Sequence, residues 1–263
     1  MDDVLLSDDF EDGIWSWTDW LDSPGWVQPG GGALVLETRS ADHHTAEFAG
    51  DDEFTFGALA VYCPRKDADG RCIDPSDGWS SYVIEADVNV RRQVRAPLIA
   101  GENLPAAWEV GWIFFRFQDP QHYYFMIFKT HHSRDLTQNY GGLEIGKYNC
   151  ERNCGVFEIS SGKETLYEIN AAETPGERAD FLELDRWYRY RIEVESTTNE
   201  QGEAAVLISP YIDEQYMGSV LDDGHVTPLF GGLPATPPLH EGAVGMYAED
   251  SEVWFDNVVV RRL

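Results

Sequence analysis

The run Gly111-Trp112-Ile113-Phe114-Phe115-Arg116-Phe117, then Gln118-Asp119-Pro120-Gln121-His122, then Tyr123-Tyr124-Phe125-Met126-Ile127-Phe128-Lys129 decides the fold class. Two aromatic-rich runs of strand length flank a polar segment with Asp-Pro in it, which reads as a β-hairpin. Upstream, Tyr82 to Val90 alternates apolar and polar residues, the period of a strand with one wet face. Ala33 to Thr38, Leu143 to Tyr148, Trp187 to Glu195, Ala204 to Ser209, Ala243 to Ala248 and Val253 to Arg261 add further strands. Long amphipathic helices are absent from the pattern, and Glu173 to Leu184 offers a short helical turn at most. No repeat or linker divides the chain. The expectation is one all-β domain over residues 1–263, an antiparallel two-sheet β-sandwich. The long irregular pieces, Asp67 to Gly78, Arg95 to Ala107, His131 to Gly141 and Asp222 to His240, are where function is expected to concentrate.

Charge excludes several classes of partner. The formal net charge is -28, with 47 acidic residues against 19 basic ones. Nucleic-acid binding depends on cationic side chains neutralising phosphates, so it is disfavoured, as is an anionic membrane surface. No apolar run approaches the ~20 residues that span a bilayer. Lysine is scarce (Lys66, Lys129, Lys147 and Lys163), and a lysine-poor acidic surface suits either a high-salt medium or several bound Ca²⁺ ions. The N-terminus lacks a basic region and an apolar stretch, which fits an exported chain whose signal peptide is gone. The four cysteines form two local pairs, Cys63 with Cys72 and Cys150 with Cys154. Two small disulfide loops are favoured over a four-cysteine zinc site, whose usual spacings these do not match.

The chain ends carry a second signal. Ser7-Asp8-Asp9-Phe10-Glu11-Asp12-Gly13 and Val253-Trp254-Phe255-Asp256-Asn257-Val258-Val259-Val260 both set carboxylates beside apolar strand residues, where an unpaired charge is costly to bury. Ca²⁺ takes carboxylate and carbonyl oxygens together, so one ion between neighbouring first and last strands removes that cost. Asp67-Ala68-Asp69-Gly70 resembles the start of a calcium loop but lacks the glutamate that closes one, since Gly78 stands at that position.

The opening Asp-Asp-Phe-Glu-Asp-Gly, Trp26-Val27 and Gly32 to Leu36, the central Val110 to Pro120 with His122 to Phe125, and the closing Trp187 to Val194 and Gly242 to Val258 resemble the concanavalin A-like lectin/glucanase superfamily, with its laminin-G-like and glycan-associated members. The resemblance implies a jelly roll with a structural Ca²⁺ between the first and last strands. By position, Asp256 is the leading ligand, with Glu11, Asp9 and the carbonyl of Gly32 beside it. The superfamily holds lectins, binding modules, hydrolases and lyases, so fold does not fix activity.

Three functional readings follow. A binding module needs exposed rings and a few polar groups: Trp112, Arg116 and Gln118, taken to share one face of the hairpin strand, with Trp79, Trp108 and Tyr140 at loop edges. A polysaccharide lyase needs a cation for the uronate and a proton carrier, which points to Arg116, His122, Tyr124, Lys129 and His131. The superfamily's hydrolase pattern Glu-x-Asp-x-x-Glu is absent. Glu85 and Asp87 alone share a strand face as a retaining pair does. The third reading is a structural or adhesive surface protein. The leading expectation is an extracellular, Ca²⁺-stabilised protein that binds a polysaccharide on its concave face or loop rim, with cleavage of the polymer as the alternative.

Overall fold

Alternation builds the first sheet. In β6 (Tyr82–Gln93), Tyr82, Ile84, Ala86, Val88 and Val90 are buried in the core, and Val83, Glu85 and Asp87 face the other way. The same rule turns Tyr188, Tyr190, Ile192 and Val194 of β11 (Trp187–Thr198) inward. The computed structural model describes residues 4–14, 16–19, 26–37, 58–63, 65, 68, 79–93, 111–119, 121–129, 142–149, 163–170, 183–226, 235–248 and 251–263. Around β6 and β11 stand β1 (Val4–Asp8), β3 (Trp26–Gly30), β4 (Ala33–Glu37), β12 (Ala204–Ile212), β13 (Gln215–Tyr216), β14 (Val220–Asp222) and β16 (Ser251–Arg262). They form a nine-stranded sheet in the order β13-β12-β11-β6-β16-β4-β3, with β1 paired to β16 and β14 to β12.

The second sheet has seven strands: β2 (Trp17–Asp19), β5 (Ala58–Tyr62), β7 (Gly111–Asp119), β8 (His122–Lys129), β9 (Gly142–Asn149), β10 (Lys163–Asn170) and β15 (Ala243–Ala248). Its order is β10-β9-β8-β7-β15-β5-β2. Every strand pair in both sheets is antiparallel. The inner faces interlock as one core. Leu34, Ile84, Tyr190 and Phe255 come from the first sheet, and Ile113, Phe115, Met126, Phe128 and Met246 from the second. This is the expected two-sheet antiparallel sandwich.

The β7–β8 hairpin forms where the sequence places it, with Asp119 opposite His122 at its tip. Two features depart from simple alternation. The seven-stranded sheet is buried on both faces: Leu59, Val61, Trp112, Phe114, Phe117, Tyr123, Phe125, Ile127, Tyr148 and Tyr247 make a second apolar cluster on its far side. The β7–β8 register also slips between Phe115 and Asp119, and Arg116 adopts a left-handed φ of 48°. A bulge of this kind shifts every later side chain on the strand by one place. Phe117 therefore joins Trp112 and Phe114, and Arg116 is turned away from them. Gly242, with φ 147°, completes the arrangement, because a Cβ there would run into the backbone carbonyl of Arg116.

Candidate functional site

The chain ends meet. β1 lies antiparallel to β16, with Asp8 opposite Val258. In the turn after β1, Asp8 accepts the Phe10 N–H at 2.9 Å and the Trp17 indole N–H at 2.9 Å, while Phe10 plugs the core at 2% exposure. Burial raises the Asp8 carboxyl above its ordinary range against those two hydrogen bonds, and Asp12 and Asp9 push the same way. Asp256 of β16 stands opposite Asp87 of β6. Its carboxyl is raised first by burial and then by repulsion from Asp87, Asp9 and Glu11. The Glu11 carboxylate overhangs Gly32, where an added Cβ would sit 2.5 Å from its Oε1. Asp9, Glu11, Asp256 and Gly32 thus come to one place.

These groups are oxygen acceptors whose mutual repulsion a hard cation relieves, which fits Ca²⁺ in kind. Asp87 is the exception, already taken by Arg189 at 3.1 Å and by the Asn257 amide at 2.8 Å. Among the described residues no three Asp, Glu, His or Cys side chains converge closely enough to hold an ion unaided. Backbone carbonyls and water would have to complete the shell.

The residues suited to cleavage lie elsewhere, and two of them are sealed. Arg116 is 0% exposed. Its Nη1 donates to the Leu239 carbonyl at 2.6 Å, and its Nη2 donates to Ser196 Oγ at 2.9 Å and to the Ser80 carbonyl. Its own N–H donates to the Tyr82 hydroxyl at 2.8 Å. Burial pulls the Arg116 pKa below that of an ordinary arginine, and Tyr82, Tyr124 and Asp222 oppose it. Tyr124, one residue beyond outward-facing Tyr123, points into the sandwich. Its hydroxyl donates to Asp222 Oδ2 at 2.5 Å and accepts the Leu239 N–H at 3.2 Å. Burial, then Asp222, holds this phenol well above its ordinary pKa. Lys147, opposite Tyr124 on β9, donates to Asp222 at 2.8 Å and to the carbonyls of Thr236 and Pro237 at 2.7 and 3.1 Å. This buried cluster ties residues 235–242 and β14 to both sheets. No polymer reaches it, so the expectation that Arg116 and Tyr124 touch a glycan is corrected.

Other expected residues divide similarly. Trp112 is 0% exposed, packed among Phe114, Phe125 and Tyr247, because the far face of its sheet is a second core. Trp79, at 8% exposure, stacks on Tyr62 and meets Tyr82 edge-on, which makes it a core residue and not a rim platform. Gln118 is half-buried and donates to the Glu241 carbonyl at 2.9 Å. His122 is half-buried at the hairpin tip with Nδ1 2.9 Å from Asp119. Cys63 is buried in place. Trp108, His131, Tyr140, Cys72, Cys150, Cys154 and the Lys129 side chain lie outside the described residues. Glu85 and Asp87 do share a face, but each is ion-paired: Glu85 to Arg261 and Arg189, Asp87 to Arg189.

Among the described residues, exposed rings and arginines gather on the outer face of the nine-stranded sheet. Trp187, Arg189, Arg191 and Glu193 follow one another on that face of β11. The Arg191 guanidinium lies 3.6 Å over the Tyr211 ring, which in turn contacts Tyr216. Trp187 and Tyr216 are 42% and 50% exposed. The alternation of Trp187 to Glu195 marks this strand, but nothing local in the sequence distinguishes its polar side as a site.

Solved structures share this architecture. The carbohydrate-binding module CBM66 from Bacillus subtilis superposes with a TM-score of 0.50 at 11% identity, covering 94% of this chain and 95% of that one. A Bacillus subtilis protein described as having a galectin-like fold gives 0.54 at 10% identity, with 99% and 96% covered. The fold is the concanavalin A-like jelly roll. More distant is an alginate lyase, vAL-1 from Chlorella virus, with a TM-score of 0.45 at 11% identity, covering 99% of this chain and all of that one. No protein-family profile matches the chain, and no curated protein matches it.

Proposed function

We propose that this jelly roll is an exported polysaccharide-binding module, held rigid by Ca²⁺ at its joined termini and by Cys63–Cys72 and Cys150–Cys154 disulfides. It binds its polymer and leaves it intact. The observation that carries this reading is the burial of Arg116 and Tyr124 at 0% exposure, which withholds from a polymer two of the residues that the cleavage alternative calls on. What remains in solvent on the nine-stranded sheet is binding chemistry: indole and phenol faces beside arginines held in place by carboxylates. Sugar rings stack their C–H faces on such rings, and their hydroxyls bond to fixed polar groups. The fold neighbour from Bacillus subtilis is named as a carbohydrate-binding module, the same class of activity.

Affinity electrophoresis in glycan-containing gels, run with product analysis of the same polymers, tests the reading. Retardation with unchanged polymer length is expected. Unsaturated, ultraviolet-absorbing ends would overturn the non-catalytic part, and migration unaffected by every glycan would overturn binding itself.

A further inference from the structure

Asn89 sits on the outer face of the nine-stranded sheet and is badly served there. It is 1% exposed, and neither its Nδ2 nor its Oδ1 has a hydrogen-bond partner among the described residues. An amide offers two donors and an oxygen acceptor, and buried polar groups of this kind almost always find partners. The sheet register explains its surroundings. Trp187 of β11 is directly opposite Asn89 on one side, and Trp254 of β16 is directly opposite on the other. Opposed residues of antiparallel strands share a face at close range, so an indole stands on each flank of the amide. The two indoles differ. Trp254 is pinned: Arg91 lies 4.9 Å over its ring, and its Nε1 donates to Glu252 at 2.7 Å. Trp187 is 42% exposed.

We propose that Asn89, Trp187 and Trp254 form a subsite for one neutral sugar ring of a polysaccharide, which deepens the glycan-binding reading and rests on it. Trp187 turns about its side-chain torsions, a fast motion for an exposed residue, and uncovers the amide. Its ring then takes the C–H face of the sugar. The Asn89 amide donates to one hydroxyl and accepts from its neighbour, supplying the bonds that it lacks in the free protein. Trp254 is the fixed wall.

Neutrality follows from the bordering charges. Arg91 is paired with Asp185, Arg92 with Glu37 and Glu252, and Arg189 with Asp87 and Glu85. Asp87 and Asp256 stand one row further along the same face. A uronate arriving here meets arginines already neutralised and carboxylates that repel it, on a chain of net charge -28.

The test compares wild type with Trp187→Ala and Asn89→Ala in gels containing β-glucan, xylan, mannan or fructan, and in parallel gels with alginate or pectate. Thermal melts of all three proteins accompany the gels. Expected are retardation of wild type by a neutral polymer, at least tenfold weaker retardation of both variants, and an Asn89→Ala melting temperature equal to or above wild type, because the orphaned amide is gone. A merely structural Asn89 would instead melt lower on substitution, which overturns the subsite. Unaltered retardation of the variants by a polymer that retards wild type also overturns the subsite and leaves the glycan-binding reading standing. Retardation of wild type by acidic polymers alone overturns the neutral-sugar assignment. Failure of wild type to respond to any polymer overturns both.

Discussion

Asp222→Asn is the sharpest probe of how this sandwich is held together. The carboxylate is 1% exposed and receives Lys147 Nζ at 2.8 Å, the Tyr124 hydroxyl at 2.5 Å and the Gly224 N–H at 3.0 Å. The guanidinium of Arg116, also buried, feels the same charge. Asparagine keeps the shape and removes the charge, taking from the buried Lys147 its ion pair with Asp222 and from Arg116 the charge that favours its cation. Breaking a buried pair from one side costs about 3–5 kcal/mol, far more than a surface pair. If all 263 residues unfold together, an unfolding entropy of ~2.1 cal/mol/K per residue makes that a drop of roughly 5–9 °C in melting temperature. The assay is thermal unfolding followed by circular dichroism, with Asp222→Leu/Lys147→Met as the partner variant. Removing both charges together should recover much of the loss, since an apolar pair of similar volume needs no desolvation. A single variant within ~2 °C of wild type, or a double variant that melts lower than the single one, would show that the charge pair does not carry the stability assigned to it.

Calcium removal should lower the melting temperature of the wild type, and Glu11→Gln or Asp256→Asn should remove that response; a melt indifferent to chelator refutes the terminal ion. The pH dependence of Asp256 has a definite sign. Its folded pKa is raised above the unfolded value near 3.8, so the folded chain binds that proton more tightly, and the ionised group costs stability that is regained as pH falls through its folded pKa. Without calcium, Asp256→Asn should therefore melt above wild type at pH 7, and the gap should close on acidification towards pH 4. Calcium should reverse the order at neutral pH, and a gap independent of pH would contradict the repulsion argument. Gly242→Ala should destabilise by about 2 kcal/mol or more in a denaturant titration, because its φ of 147° and the Arg116 carbonyl leave no room for a Cβ. A neutral result there would mean that the β7 bulge adjusts freely.

Sequence pattern reached far into the fold. The period-two alternation of Tyr82 to Val90 and the hairpin around Asp119 are local properties, and the strands formed where they indicated. The carboxylates at both ends pointed to a shared ion on condition that the first and last strands lie side by side, and β1 does pair with β16. The site was far less legible. Counting in twos puts Arg116 on the face of Trp112, and one bulged residue with φ 48° turns it into the sandwich. Trp112 itself looked like a platform because nothing local distinguishes an aromatic on a wet face from one under a second core.

Local chemistry, then, determined that this chain is a layered antiparallel β protein with acidic ends drawn together, since side-chain period and turn residues act between near neighbours. Tertiary structure alone decided which side chains solvent reaches. The partners of Asp222 come from β8 and β9 of the other sheet, and the indoles that flank Asn89 come from β11 and β16 on either side of β6. Burial and hydrogen-bond satisfaction are set by residues far away in the chain, and no count along one strand contains them.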